Sequence, residues 1–400
     1  MRSIPAWGYA AVLAGSLMLS LLLTPLALAA ATRFRILDHP GPSKSHSRAV
    51  PYLGGAAIVT AFSVTVLIAA ALRPPVTGLP QLVAFITLGL GLTALGLIDD
   101  VRGGLHPVLR VLIETGAGAI IWALGDSAHL AGAPRAVNAV ISILWIVGVT
   151  NAFNLLDNMD GLSSGTAVLC ALAIFAVAVL QDRYLVAALA IALAGCAAGF
   201  LRHNFHPARI YMGDAGSLFL GFTLSVLLLK LRENAPTRVG IVVILAIAAI
   251  PLFDTSVVVV SRVAHRLSPF QGGRDHTSHR LLKLGLTVRQ AVAAIYAAGV
   301  ICDALALLLL HANRLERVAG AFAVIALLGL VGGALLRIRV YEVARCEAPD
   351  PPREQTEGRK RPVETASTRV VTERSSVGAF LAGNAPLQES ALWKRGGHKR

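Results

Sequence analysis

Long apolar runs separated by short polar stretches occupy the chain from residue 7 to residue 337. They fall near 7–31, 52–72, 79–98, 106–125, 136–150, 162–180, 184–201, 215–231, 239–261, 288–311 and 318–337. About 20 mainly apolar residues suffice for a helix to cross a hydrocarbon core of about 30 Å. The pattern therefore predicts an all-α polytopic membrane protein with about eleven transmembrane helices. The first run is longer than the core of a signal peptide and lacks a strongly positive start, so it is expected to remain as the first span.

The polar residues are unevenly shared between the two sides. Alternate connections, at 32–51, 99–105, 151–161, 202–214 and 262–287, fall on one face and hold nearly all the unusual polar sequence. Arg33, Arg35, Lys44, Arg48, Arg262, Arg266, Arg274, Arg280 and Lys283 lie in two of them, which makes that face the expected cytoplasmic one. Arg232, Arg238, Arg314 and Arg317 on the other side soften the asymmetry. A transporter more often gathers its polar residues at the midplane of interrupted helices, whereas this pattern assembles a site at one membrane surface.

The composition agrees: 55% of the 400 residues are hydrophobic and only 14% charged. A net charge of +14 is more simply explained by basic loops, anionic lipids and a phosphorylated substrate than by nucleic acid, for which no aromatic and basic module is present. Cys170, Cys196, Cys302 and Cys346 are far apart, with no metal-ligand spacing. From residue 341 the chain turns polar and Pro-rich and ends on Lys394, Arg395, Lys399 and Arg400. Residues 341–400 are expected to form a disordered basic cytoplasmic tail after a membrane domain at 1–340.

Five stretches on the polar face carry candidate chemistry. Asn151, Asn154, Asp157 and Asp160 recur every three residues in NAFNLLDNMDG, so a continuous helix would set all four on one side. Such a ladder at the mouth of a span is costly unless it binds something; a cap and turn between two spans is the simpler alternative. Asp99 and Asp100 end the third span, where two carboxylates suit a divalent cation, a cationic partner, or simply solvent. Asp214 in YMGDAGS precedes the eighth span, whose free amides favour an anion. An aspartate beside a phosphate site suits Mg²⁺, which takes few carboxylates and completes its shell with phosphate and water. Asp38, Lys44, His46 and Arg48 in the first loop could contact phosphate, as could Arg274, His276, His279 and Arg280 in the last. His276 and His279 have no third ligand nearby for zinc. Asp254 lies within the ninth apolar run and needs a partner, with Arg262 or Arg266 as candidates and a polar group of a neighbouring helix as the alternative.

Taken in order, these pieces resemble the polyprenyl-phosphate N-acetylhexosamine-1-phosphate transferase superfamily. The resemblance rests on Asp38–Gly55, Asp99–Asp100, Asn151–Gly161, Met212–Ser217 and the loop at 276–279, and spans roughly 33–290. It is nearer the WecA/TagO branch than the MraY type, since an eleventh span is expected. His276-Thr277-Ser278-His279 lacks the family's middle histidine, and Asn158 replaces a usual glycine, which leaves the sugar nucleotide open.

The resemblance implies that a membrane polyprenyl phosphate attacks the sugar-bearing phosphorus of a UDP-N-acetylhexosamine and that UMP leaves, with Mg²⁺ (or Mn²⁺) on the diphosphate. Direct attack is the favoured course over a covalent phospho-aspartate. By motif position Asp99, Asp100, Asp157 and His279 would be catalytic, with Asp99 or Asp100 deprotonating or orienting the lipid phosphate. Asn154 and Asp214 would hold the metal. Lys44, His46, Asp160, Gly161, Arg274, His276 and Arg280 would contact substrate, Asp160 and Gly161 at the uridine end. A bacterial cytoplasmic membrane location, a lipid groove reaching into the bilayer, and homodimerisation as one arrangement complete the expectation.

Overall fold

The computed structural model describes residues 4–38, 49–75, 78–125, 133–232, 240–269 and 272–341. The expected tail beyond 341 and the substrate contacts expected at Lys44 and His46 lie outside the described residues. The regular structure of the described residues is helical, apart from one antiparallel pair of two-residue strands, β1 (Leu37–Asp38) and β2 (Val50–Pro51), and an isolated bridge between Tyr52 and Tyr211.

Thirteen helices follow one another among the described residues: α1 (Ala6–Arg33), α2 (Gly54–Leu72), α3 (Leu79–Arg102), α4 (Pro107–Ala123), α5 (Arg135–Leu156), α6 (Leu162–Leu180), α7 (Tyr184–Asn204), α8 (Gly213–Arg232), α9 (Ile241–Ile247), α10 (Ala249–Ala264), α11 (Thr277–Lys283), α12 (Val288–His311) and α13 (Arg314–Leu336). By length and apolarity nine of these can each cross a bilayer, namely α1, α2, α3, α5, α6, α7, α8, α12 and α13. The expected continuous ninth span is instead two helices, α9 and α10, bent 75° apart. α4, at the fourth expected span, has only 17 residues. The protein is thus an all-α polytopic membrane protein.

Two prolines show how the bundle tolerates helix breakers. Proline has no N–H for the carbonyl four residues back. Pro251 cannot bond Ile247 O, and the chain bends there; the Cys170 thiol from α6 donates to that carbonyl at 3.1 Å. Pro25 likewise frees Leu21 O in α1, which is bonded by His203 at the end of α7. Neighbouring helices satisfy the released groups, as a dry environment demands.

α7 and α8 form the centre. α8 is enclosed along its length, with Leu218, Phe222, Leu224, Val226 and Leu229 all buried, and it packs against α3 and α5. α1 and α6 flank α7. Gly195 and Gly199, one turn apart, let α1 lie against α7; an added Cβ would come within 2.0 Å of Ser16 Oγ or 2.7 Å of Leu17 O. This is the small-residue packing that membrane helices use where apolarity alone gives no drive to associate. α13 lies at the periphery and exposes Leu315, Phe322, Ile325 and Leu330, as a lipid-facing helix should.

Candidate active site

The paired aspartates at the end of α3 point to different tasks. Asp100 accepts the backbone N–H groups of Asp214 (3.0 Å) and Ala215 (3.3 Å), so it caps α8 from another helix. The first amides of α8, expected to be free for an anion, are therefore taken by a carboxylate of the protein itself. The approach is close enough to exclude a side chain at Gly213, whose φ is 68° and whose added Cβ would lie 2.3 Å from Asp100 Oδ2. Asp99 turns the other way, accepting from Leu105 N and from Arg110 Nη1 at 3.1 Å.

Arg110, which the apolar pattern concealed inside an expected span, is the hub. Its Nη1 also donates to Asp214 Oδ2 (2.7 Å), its Nη2 to Asn154 Oδ1 (2.8 Å), and its Nε lies 3.8 Å from Glu114 Oε1. Asn154 Nδ2 donates to Asp214 Oδ1 (2.7 Å) and Ser217 Oγ (2.9 Å), closing the ring. The signal in the sequence was an ionisable pair four residues apart, Arg110 and Glu114, within an apolar run. Removing Arg110 leaves the buried carboxylates of Asp99 and Glu114, 7% and 1% exposed, without their cation. Arg110→Met is expected to lower stability by about 3–5 kcal/mol, read as a lower thermal midpoint in detergent.

The three-residue ladder does not continue as a helix. α5 ends at Leu156, and Asp157 caps it with its N–H on Asn154 O (3.2 Å). Asn151 faces away from the others, donating to Glu114 Oε2 and to Val147 O. Asp160 Oδ2 receives Ala208 N (3.0 Å) and lies 2.7 Å from His206 Nδ1. Gly161, expected at the substrate, starts α6 with φ 78°. Its N–H goes to Asn204 Oδ1 (3.1 Å) and its carbonyl accepts the Tyr296 hydroxyl (2.5 Å), so it shapes the turn instead.

The last loop separates in the same manner. Asp254 pairs with neither arginine: its carboxylate accepts Thr277 N (2.7 Å) and lies 2.8 Å from His276 Nδ1. Arg262 makes a bidentate pair with Asp275 at 2.8 Å, and Tyr341 Oη donates to the same carboxylate at 2.6 Å. Burial would raise Asp275, but these bonds outweigh it and hold the carboxyl below its ordinary range. Arg280, expected to hold phosphate, is 1% exposed. It donates to Asp275 O, Leu335 O, Ile338 O and Ser261 Oγ. A guanidinium so enclosed cannot reach a substrate, and His276 is buried too.

A cavity of about 520 Å³ opens between these elements and draws on all five polar stretches. Asp38, Asp100, Asp157, Asp160 and Asp214 line it, together with the Arg274 guanidinium, the His279 ring, and Tyr52 and Tyr211 as aromatic wall. Neither tyrosine is marked by charge or spacing in the sequence. Asp99, Asn154, Gly161, His276 and Arg280 stand outside the lining. Tyr52 Oη donates to Asp100 O (2.7 Å), and Tyr211 N to Pro51 O (2.8 Å), which ties the strand pair to the start of α8.

Asp157 is the singular group. Its carboxylate has no hydrogen-bond donor among the described residues, and burial, then the charges of Asp214, Asp100 and Asp160, push its pKa well above the ordinary value. An enclosed cluster of carboxylates calls for a cation. Among the described residues no three Asp, Glu, His or Cys side chains converge as a ready-made metal cage. Asp157 and Asp214 both line the cavity, and Mg²⁺ is an ion that binds through one or two carboxylates and leaves its other positions to phosphate oxygens and water.

His279 is lowered from its ordinary 6.5 to about 4 by burial, then by His276 and Arg274. It is a neutral imidazole at pH 7. Its folded-state pKa lies below the unfolded one, so the stability this neutrality confers is present above pH 6.5 and is lost as pH falls towards 4. His279→Gln should lose less stability than the parent across that window, measured as thermal midpoint against pH.

Residues 82–232, which carry Asp99 through Asp214, match the profile of glycosyl transferase family 4. The Bacillus subtilis protein named "Probable undecaprenyl-phosphate N-acetylglucosaminyl 1-phosphate transferase" is 31% identical over 306 residues, covering 74% of this chain and 84% of its own. The Mycolicibacterium smegmatis decaprenyl-phosphate N-acetylglucosaminephosphotransferase is 30% identical, over 66% of this chain and 73% of its own. A phospho-N-acetylmuramoyl-pentapeptide-transferase of Moorella thermoacetica is 29% identical, over 70% and 95%. With the polar loops converging on one carboxylate-lined cavity, this chain belongs to glycosyl transferase family 4, within the polyprenyl-phosphate N-acetylhexosamine-1-phosphate transferase superfamily.

Proposed function

We propose that this protein is a phosphotransferase of cell-envelope synthesis that moves an N-acetylhexosamine 1-phosphate from a UDP-sugar to a membrane polyprenyl phosphate. N-acetylglucosamine 1-phosphate is the first candidate, because the Bacillus and Mycolicibacterium relatives carry that sugar in their names. The observation that carries the reading is the cavity, lined among the described residues by five carboxylates, one guanidinium and a neutral imidazole. A diphosphate brings its own negative charge to such a place only together with a divalent cation.

In the reaction an oxygen of the lipid phosphate forms a bond to the sugar-bearing phosphorus, and the bond from that phosphorus to the bridging oxygen breaks. The electron pair leaves with UMP. Asp99 and Asp100 are both committed to protein donors, so Asp157 is the better base to take or hold the proton of the incoming phosphate. Arg274 and His279 would donate to the diphosphate. Both bonds to Asp160 land on Oδ2, which leaves Oδ1 to accept a donor of the uracil while Tyr211 offers a ring to its face.

Asp214 would hold Mg²⁺, or Mn²⁺, with Asn154 joining if Arg110 Nη2 releases its Oδ1. Such an ion supplies charge neutralisation on the diphosphate and a better leaving group. The basic loops lie on the cavity side, which supports the reading that this side faces the cytoplasm at a bacterial inner membrane.

The test is purified protein with Mg²⁺, polyprenyl phosphate and a panel of UDP-sugars including UDP-N-acetylmuramoyl pentapeptide, with UMP release as readout. The expected result is turnover with a UDP-N-acetylhexosamine, lost on chelation and restored by Mg²⁺. Turnover with the pentapeptide donor alone would transfer the reading to the branch of the Moorella relative. No UMP from any donor, in a folded preparation, would sink it.

A further inference from the structure

α11, which carries His279 at its third position, is too short to be stable alone: it has seven residues, and isolated helices under about 12 residues are marginal. The approach to it is thinly packed, with Gly272, Gly273 and Arg274 exposed. Its order must come from elsewhere. On one side it is fixed to α10, through Asp254 on Thr277 N and His276. On the other side it is fixed to the end of α13 and the chain just after it. Arg280 Nη1 donates to Leu335 O and Ile338 O, each at 2.9 Å. Lys283 Nζ donates to Arg339 O at 3.0 Å. Tyr341 Oη donates to Asp275, one residue from Arg274, and its ring packs against His265 with centroids 4.5 Å apart.

Leu335 O, at the end of α13, accepts Ile338 N at 3.0 Å and keeps a second lone pair for Arg280, which also takes Ile338 O just beyond the helix. The guanidinium that takes them belongs to the residue next to His279 and also bonds Ser261 and Asp275. Helix α13 and the loop of the cavity therefore share one buried cation.

We propose that the segment from Leu335 to Tyr341 is a clasp that holds the His279 loop in its working geometry, and that Arg280 and Tyr341 are positioning residues for the transfer. The eleventh expected span then has a task beyond crossing the membrane: its end braces one wall of the cavity. This rests on the proposed transferase reaction, but the brace itself can be read without turnover.

The experiment uses the full-length protein in lipid nanodiscs. Hydrogen–deuterium exchange over 272–284 and kcat and KM for UMP release are measured on the same preparations of the parent, Tyr341→Phe and Lys283→Met. Tyr341→Phe removes only a hydroxyl, and Lys283→Met removes only the bond to Arg339 O. Exchange over 272–284 is expected to rise several-fold in both, with exchange in α7 and α8 unchanged. In Tyr341→Phe kcat should fall about tenfold or more, while KM for the UDP-sugar stays within about twofold. Unchanged exchange in both variants overturns the clasp. Faster loop exchange with unaltered kcat overturns the positioning role, as does acceleration that extends to α8, which marks a general loss of fold. A parent protein that releases no UMP overturns the reaction instead, and the exchange data then decide the clasp alone.

Discussion

Asp157→Asn is expected to lower kcat by about 100- to 10,000-fold while leaving the protein at least as stable as before. The two halves of this expectation have one cause. Asp157 presents a carboxylate to the cavity with no donor to it among the described residues, amid the charges of Asp100, Asp160 and Asp214. An amide of the same shape breaks no bond within the protein and relieves repulsion between neighbours. What it loses is the proton acceptor and a part of the field that a cation would meet. A group whose replacement stabilises the fold and removes turnover is the usual mark of a functional site. Asp99→Asn would contrast with it, since that carboxylate answers Leu105 N and Arg110. The measurement is kcat at saturating substrates beside the thermal midpoint of both variants. An Asp157→Asn protein within tenfold of the parent rate would return the base to Asp99 or Asp100.

The spans were legible because hydrocarbon imposes a single requirement, about 20 apolar residues in a row, and the helix ends fall within a few residues of the apolar runs. The break between α9 and α10 was less so. Pro251 announces a lost bond, but whether the chain bends depends on whether something else takes Ile247 O, and Cys170 is 77 residues away in sequence. The same limit applied to the site. The motif residues were recognised as a set, and the cavity does draw on all five stretches.

Their division of labour was not visible. Asp100 caps a helix start 114 residues on. Asp254 took His276 over Arg262 of its own helix and Arg266 just beyond it, and Arg280 turned from the cavity to the carbonyls of α13. Each choice is a pairing across the bundle, made where an unpaired polar group is most expensive. Period and spacing describe a single element and carry no information on such pairings. The ladder from Asn151 to Asp160 illustrates the point from the other side: its period of three was real, but a helix that ends at Leu156 cannot carry it.

A comparably large effect is expected at Asp214, where about 1,000-fold or more of turnover should disappear on substitution by Asn. The carboxylate accepts Asn154 Nδ2 on one oxygen and Arg110 Nη1 on the other, both at 2.7 Å. An asparagine has one acceptor oxygen, so its own amide must face one of these donors, and the network loses stability as well as the proposed metal ligand. A second substitution separates the two losses. In Asp214→Asn combined with Asn154→Asp, amide and carboxylate change places. Asn at 214 can donate to Asp at 154, Arg110 still meets an oxygen on each, and Ser217 Oγ can reverse its bond of 2.9 Å. The net charge of the cluster is that of the parent. Thermal stability should therefore recover in the double variant while turnover stays below about 1% of the parent, because a cation and a diphosphate need the charge on α8 and not at the end of α5. Recovery of turnover together with stability would mean that only the total charge of the pair matters, and Asp214 would lose its assigned place as the metal ligand.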